Sequence, residues 1–258
     1  VHSICETNDS TLWLATAGAG LKKVNYRIKS GRIEIKDVET FVFEKNGRVC
    51  NEFHATRDIG NSTLLIGSRG GYGLIKFDTQ TYQYSFIPMN NTEYSAIGDV
   101  LSVHHSIDSL FYIGASAGLT KMQFLPNNQF RLLNQFDRRY GLSNDMIHGI
   151  LEGLDGCIWL STNKGLTKHN PKNDYFHNYT QDLLVSEFSD DAFWQDPNSK
   201  RLFFGGVNGL VWLEATTIPT PAYKTNFSFY ELKLSGKPVR WSDHFNTAAN
   251  QISIPPGI

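Results

Sequence analysis

Short apolar runs alternate with short polar ones from the first residues onward, and no stretch of twelve keeps a period near 3.6, so helices are not expected. One composite pattern recurs: an apolar or aromatic group, two small residues, a short polar loop, then Gly-Leu and a second apolar run. It is written five times, as LWLATAGAGLKKVNY (12–26), LLIGSRGGYGLIKFD (64–78), LFYIGASAGLTKMQF (110–124), CIWLSTNKGLTKHNP (157–171) and RLFFGGVNGLVWLEA (201–215). The leucine after the glycine stands at 21, 74, 119, 166 and 210, so successive copies are 53, 45, 47 and 44 residues apart. A period in the mid-forties marks an array of supersecondary modules.

Each copy is preceded by a further strand-like run: VHSICET, FHATRDI, VLSVHHS, IHGILEG or DAFWQD. Between that run and the motif lie turn residues such as GNS, LDG or DPNSK, which tolerate positive φ or close Asx turns. An aromatic strand follows, as in YQYSFIP (82–88) and DYFHNYT (174–180). Four short strands every 45 residues predict an all-β chain of about five four-stranded β-propeller blades over 1–218. A single sheet cannot bury both faces, and stacked neighbours can. Trp13 and Trp159 then belong to the inter-blade core. Ser161-Thr162 are small because adjacent sheets crowd there. Gly165 closes a loop where a side chain would clash or φ is positive. Lys168 and His169 are expected toward the wetter periphery.

Of 258 residues, 24 are Lys or Arg and 25 Asp or Glu, a net charge of −1 that supports neither a nucleic-acid surface nor a basic membrane patch. Cys5, Cys50 and Cys157 are odd in number and lack metal-ligand spacing, so neither disulfides nor a zinc site is expected. No apolar run reaches about 18 residues. The chain opens directly in a strand-like run, and it is expected to be a piece of a longer protein.

In a zigzag of four strands, the second-to-third loops and the connections between modules emerge on one rim. These segments vary more than the opposite turns, and recognition is expected there. The candidates are Arg69 and Tyr72 in one loop, Asn163 and Lys164 in another and Asn208 in a third. Asn51, Glu52, Asn144 and Asp145 come from the connections. Counting eleven residues back from Trp13, Leu65 and Trp159 gives His2, His54 and His148, an equivalent position expected at the mouth of the central channel. Leu101 and Ala192 fill that position elsewhere. With the histidine series interrupted and Asp99, Asp190 and Asp191 reading as scattered acids, no metal, cofactor or catalytic pair is expected.

The segment YGLSNDMIHGILEGLDGCIWLSTNKGLTKHNP (140–171) resembles the two-component-regulator propeller repeat, found in the sensor region of Bacteroides-type hybrid two-component systems. EFSDDAFWQDPNSKRLFFGGVNGLVWL (187–213) is similar to the atypical last blade of those propellers, and residues 219–258 resemble the opening strands of the Y-Y-Y Ig-like domain that follows. The resemblance implies a fragment of a seven-bladed propeller, with two blades missing at its start and a truncated Ig-like domain. It implies a non-enzymatic periplasmic sensor whose parent is anchored in the inner membrane, forms a homodimer and carries a histidine kinase. It further implies an oligosaccharide ligand, for which His54, Arg69, Tyr72, Asn144, Asp145, His148, Asn163, Lys164 and Asn208 are the expected binding residues. Trp194, Tyr72 and Trp241 are available to stack on sugar rings. A propeller glycoside hydrolase or polysaccharide lyase is the alternative.

Overall fold

The computed structural model describes residues 1–8, 10–87, 98–106, 109–127, 129–180, 183, 185–214, 232–234, 237–239, 245–246 and 251–252. Two compact units divide the chain, Val1–Thr217 and Ile218–Ile258. In the second, two short hairpins are described: β22 (Leu232–Leu234) with β23 (Lys237–Val239), and β24 (Phe245–Asn246) with β25 (Gln251–Ile252). Most of the segment read as Ig-like, including Trp241, lies outside the described residues.

The first unit is a series of antiparallel sheets, each wound in chain order. The first holds β1 (Ser3–Asn8), β2 (Thr11–Ala15), β3 (Leu21–Lys29) and β4 (Arg32–Phe41). A hairpin of β5 (Phe43–Lys45) and β6 (Arg48–Cys50) fills part of the longest interval between motif copies. The second sheet holds β7 (Phe53–Asp58), β8 (Thr63–Ser68), β9 (Leu74–Asp78) and β10 (Tyr84–Ile87). The third holds β11 (Val100–His105), β12 (Leu110–Ala115), β13 (Gly118–Phe124) and β14 (Phe130–Phe136), followed by one 3-10 turn at Arg138–Tyr140. The fourth holds β15 (Ile147–Glu152), β16 (Ile158–Thr162), β17 (Gly165–Asn170) and β18 (Tyr175–Tyr179). The fifth has β19 (Phe188–Gln195), β20 (Leu202–Gly206) and β21 (Gly209–Leu213), three strands among the described residues rather than four.

The leading strands β1, β7, β11, β15 and β19 pack on one another in succession, and β19 also touches β7 and β11 across the axis. This is the propeller that the repeat predicts. The strand period of two sends alternate residues to opposite faces, and here both faces are buried. Leu64 and Ile66 pack with Trp13, Ala15 and Leu21 of the first sheet, whereas Leu65 between them packs with Phe111 and Ile113 of the third. Tyr112 in turn faces Ile147, Ile158 and Leu160 of the fourth. Trp13, 1% exposed, sits in the first of these seams as expected.

The small residues of the motif occupy the tightest part of each seam. A Cβ on Gly67 would lie 2.7 Å from Val100 of the next sheet, and one on Gly114 would lie 2.7 Å from Ile147. Gly165 meets both conditions set for it: its φ is +79°, and a Cβ would lie 2.2 Å from the Tyr179 carbonyl oxygen. His169 departs from expectation. It is fully buried among Tyr112, Phe136 and Phe176 rather than peripheral, because it follows Lys168 by one residue and so takes the opposite face of β17.

The outward faces of the end sheets stay uncovered by the first unit's own strands. On the first, Ile4 is 65% exposed, and on the fifth Trp194 is 55% exposed, with Leu210 and Trp212 exposed beside it.

Two outcomes follow. Gly165→Ala should destabilise by about 2 kcal/mol or more, combining left-handed strain with the carbonyl clash. Gly156→Ala, which shares the positive φ but meets nothing within 4 Å, should lose only about 1 kcal/mol; urea unfolding of both separates the two effects. Burial, only partly offset by the Asp174 hydrogen bond, lowers His169 from 6.5 to about 4. Between those values the unfolded chain binds a proton that the native state refuses, so this group makes stability fall as pH drops from 6.5 to 4. The wild type should lose up to about 3 kcal/mol relative to His169→Phe over that window, measured by unfolding across pH.

Candidate functional site

The position counted back from the motif is a structural device. In β7 the pairs Phe53–Ser68 and Ala55–Gly67 skip His54, in β11 Val100–Ala115 and Ser102–Gly114 skip Leu101, and in β15 Ile147–Thr162 and Gly149–Ser161 skip His148. Each is a β-bulge, which turns the extra residue out of the ladder. His2 lies at the same point, its N–H reaching the carbonyl of Ala15, the residue Ser3 pairs with. In β19 the irregularity spans Phe188 to Phe193, and Asp191 takes a left-handed φ of 60°. That longer bulge delivers Asp190 and Asp191 to the axis.

These side chains meet. The rings of His2 and His54 stack with centroids 3.9 Å apart, and His2 Nδ1 lies 2.5 Å from Asp191 Oδ2. His54 Nδ1 is 3.9 Å from the same oxygen and 4.0 Å from Asp190 Oδ2, and its Nε2 is 3.8 Å from Glu52 Oε1. His148 stands between Asp190 Oδ1 and the Asn163 side-chain oxygen, 2.5 Å from each. Contact with the Asp190 carboxylate on one edge and the Asn163 amide on the other favours the protonated ring. Arg69 lies among Glu52, Asp99 and Asp190, 3.4 to 3.8 Å from their oxygens. Below this cluster a channel of about 490 Å³ runs between the leading strands, lined by His2, His54, Leu101, His104, Asp191 and Trp194 among others.

Loop geometry holds the rim. In three of the five modules the residue after the second strand donates its N–H to a connection carbonyl: Arg69 to Glu52, Ser116 to Asp99 and Val207 to Glu187. An acid thus recurs beside the axis in three modules.

Titration follows from these contacts. Burial opposes charge on His148, but the hydrogen bonds with Asp190 and Asn163 prevail and raise its pKa. His148 in return lowers Asp190. Burial lowers His54, aided by His2 and Arg69, and burial pushes Asp191 up to about 6 despite its His2 partner.

Of the residues expected to bind ligand, the axis gathers His54, Arg69, His148 and Asn163. Tyr72 is not among them: it gives its hydroxyl to the Val49 carbonyl and sets its ring near Phe86. Asn144 accepts from the Met146 N–H in a local turn, and Asp145 is paired with Arg138. Lys164 and Asn208 are exposed in their loops. Asp190 and Asp191, read as scattered, belong to the centre; the fixed count of eleven falls on Ala192, whereas the longer irregularity between Phe188 and Phe193 places the two acids there.

Comparison with known proteins places this geometry in context. No family model matches the chain. It is 22% identical over 247 residues to Histidine kinase P4 of Formosa agariphila, a match spanning 90% of the chain but 17% of that protein. Among solved structures it resembles the extracellular domain of BT4673 from B. thetaiotaomicron. In one structure, assigned to a hybrid two component system, identity is 16% and the TM-score 0.65, covering 83% of this chain and 29% of that one. In another, assigned to a one component system, they are 19% and 0.59, covering 83% and 26%. A gluconolactonase structure also shares the fold at 10% identity and a TM-score of 0.57. The chain is therefore a β-propeller with the architecture of these extracellular domains, and it spans about a sixth of the curated relative.

Asp190→Asn should lower the His148 titration by removing the charge that holds its proton; ¹H–¹⁵N spectra of the imidazole across pH measure it. An unchanged titration would show that Asp190 does not control this ring.

Proposed function

We propose that the chain is the extracytoplasmic sensing part of a hybrid two-component regulator, located in the periplasm and binding an oligosaccharide at the axial rim. The carrying observation is that nine-tenths of the chain matches a small fraction of a histidine kinase. The rim adds chemistry suited to hydroxyl groups: Arg69 as a fork of donors, Asn163 as donor and acceptor, and flanking carboxylates as acceptors. Among the described residues no helix is long and apolar enough to cross a membrane. In the longer protein, ligand would favour one arrangement of a homodimer, and the kinase would read that difference; this requires unequal affinity for two states.

Calorimetry against a panel of oligosaccharides, with analysis of the sugars afterwards, tests the reading. The expected result is heat with the sugar recovered intact, and affinity weakened at least about ten-fold, about 1.4 kcal/mol, in Arg69→Ala and Asn163→Ala. New reducing ends or unsaturated products would favour a propeller enzyme instead, and no heat with any sugar would end the carbohydrate reading.

A further inference from the structure

We propose that the axial cluster is a binding site for one divalent transition-metal ion of the zinc class, with His2, His54 and Asp191 as its ligands and Glu52 orienting His54. This goes beyond the sensing role and does not depend on what the rim binds.

The argument begins with His54. It is 1% exposed, yet neither ring nitrogen has a hydrogen-bond partner among the described residues. A neutral imidazole carries one donor and one acceptor, and stranding such groups typically costs about 1–3 kcal/mol each. The ring is aimed at carboxylates on both edges and bonds to none, since they stand 3.8 to 4.0 Å away. Those gaps are too long for hydrogen bonds, and the 3.9 Å from His54 Nδ1 to Asp191 Oδ2 is about half an ångström wider than the spacing of two donors on a tetrahedral zinc ion.

Donor convergence is the second observation. One ligand atom from each of His2, His54 and Asp191 lies within 4.8 Å of the others, and Asp191 Oδ2 is the common neighbour of both imidazole Nδ1 atoms. In a tetrahedral zinc site neighbouring donors are roughly 3.3 Å apart. His2 Nδ1 and Asp191 Oδ2, now sharing a proton at 2.5 Å, would open slightly, and His54 would close toward them. The ion takes the place of that shared proton, which leaves to solvent. Three protein ligands leave a fourth position for water or for a ligand group entering along the axis.

The surroundings supply the rest of a metal site. Glu52 Oε1 lies 3.8 Å from His54 Nε2, on the side where a carboxylate commonly accepts the second N–H of a ligating histidine. Asp190 is held by His148 and adds negative charge beside the ligands. Two imidazoles and a carboxylate suit zinc, nickel or copper, whereas calcium and magnesium favour all-oxygen shells.

The test uses the 258-residue chain without added histidines. Cobalt(II), the spectroscopic substitute for zinc, should give visible d–d bands that saturate at one equivalent, and zinc calorimetry should give the same stoichiometry. His54→Ala and Asp191→Asn should abolish the bands and weaken zinc at least about 100-fold. Glu52→Gln should weaken it about 10-fold while keeping the bands, as expected of a positioning residue. His177→Ala, outside the cluster, should change nothing. Asp191→Asn preserves side-chain shape, so it remains informative should His54→Ala fail to fold; circular dichroism reports folding in each case. No cobalt spectrum at one equivalent would overturn the proposal. So would binding that survives Asp191→Asn, as chelation by the amino terminus and His2 alone would.

Discussion

Every sheet in this propeller has two apolar faces, and the space between neighbours narrows toward the axis. That single constraint accounts for most of the sequence. Large side chains such as Trp13, Phe111 and Tyr112 fill the seams where the sheets diverge. Glycine is required at 67 and 114, where the next sheet leaves less than a methyl group of room. Burial of a side chain the size of Leu or Phe is worth about 1.5–3 kcal/mol, so the stability of each module resides largely in its neighbours. Modules at the ends of such an array have one face with no neighbour from the same unit, which is why Ile4 and Trp194 are exposed.

The axis obeys a different physics. A propeller brings the leading strands so close that β19 reaches β7 and β11, and here the residues turned inward are mostly ionisable. Buried charges are tolerated only when paired. His148 shows the favourable case, a ring whose charged form is supported by the Asp190 carboxylate and the Asn163 amide. Arg69 draws three carboxylates around it. Asp191 shows the opposite side, since burial moves it toward its neutral form even with His2 in contact.

The repeat spacing, the tryptophans, the crowded small residues and the strained Gly165 are all legible in the chain, because each is repeated or answers a local steric demand. What escaped reading depended on context outside the repeat. Tyr72 is captured by the β5–β6 hairpin, an insertion with no counterpart among the described residues of the other modules. Asn144 and Asp145 look like rim ligands by composition, yet they serve a turn and an ion pair within their own connection. His169 follows Lys168 by one residue, and one residue in a strand is a change of face. Asp190 and Asp191 were missed because a bulge of unusual length shifts the register by an amount that no periodicity encodes.

A bulged residue belongs neither to the hydrogen-bonded ladder nor to the seams between sheets. In three modules this position is His54, Leu101 and His148, and His2 stands at the equivalent point just before β1. The ladder therefore restricts what stands there less than the burial of His54, Leu101 and His148 does. Related chains could thus exchange the contents of the axis one module at a time and acquire new chemical selectivity, with the surrounding architecture left untouched.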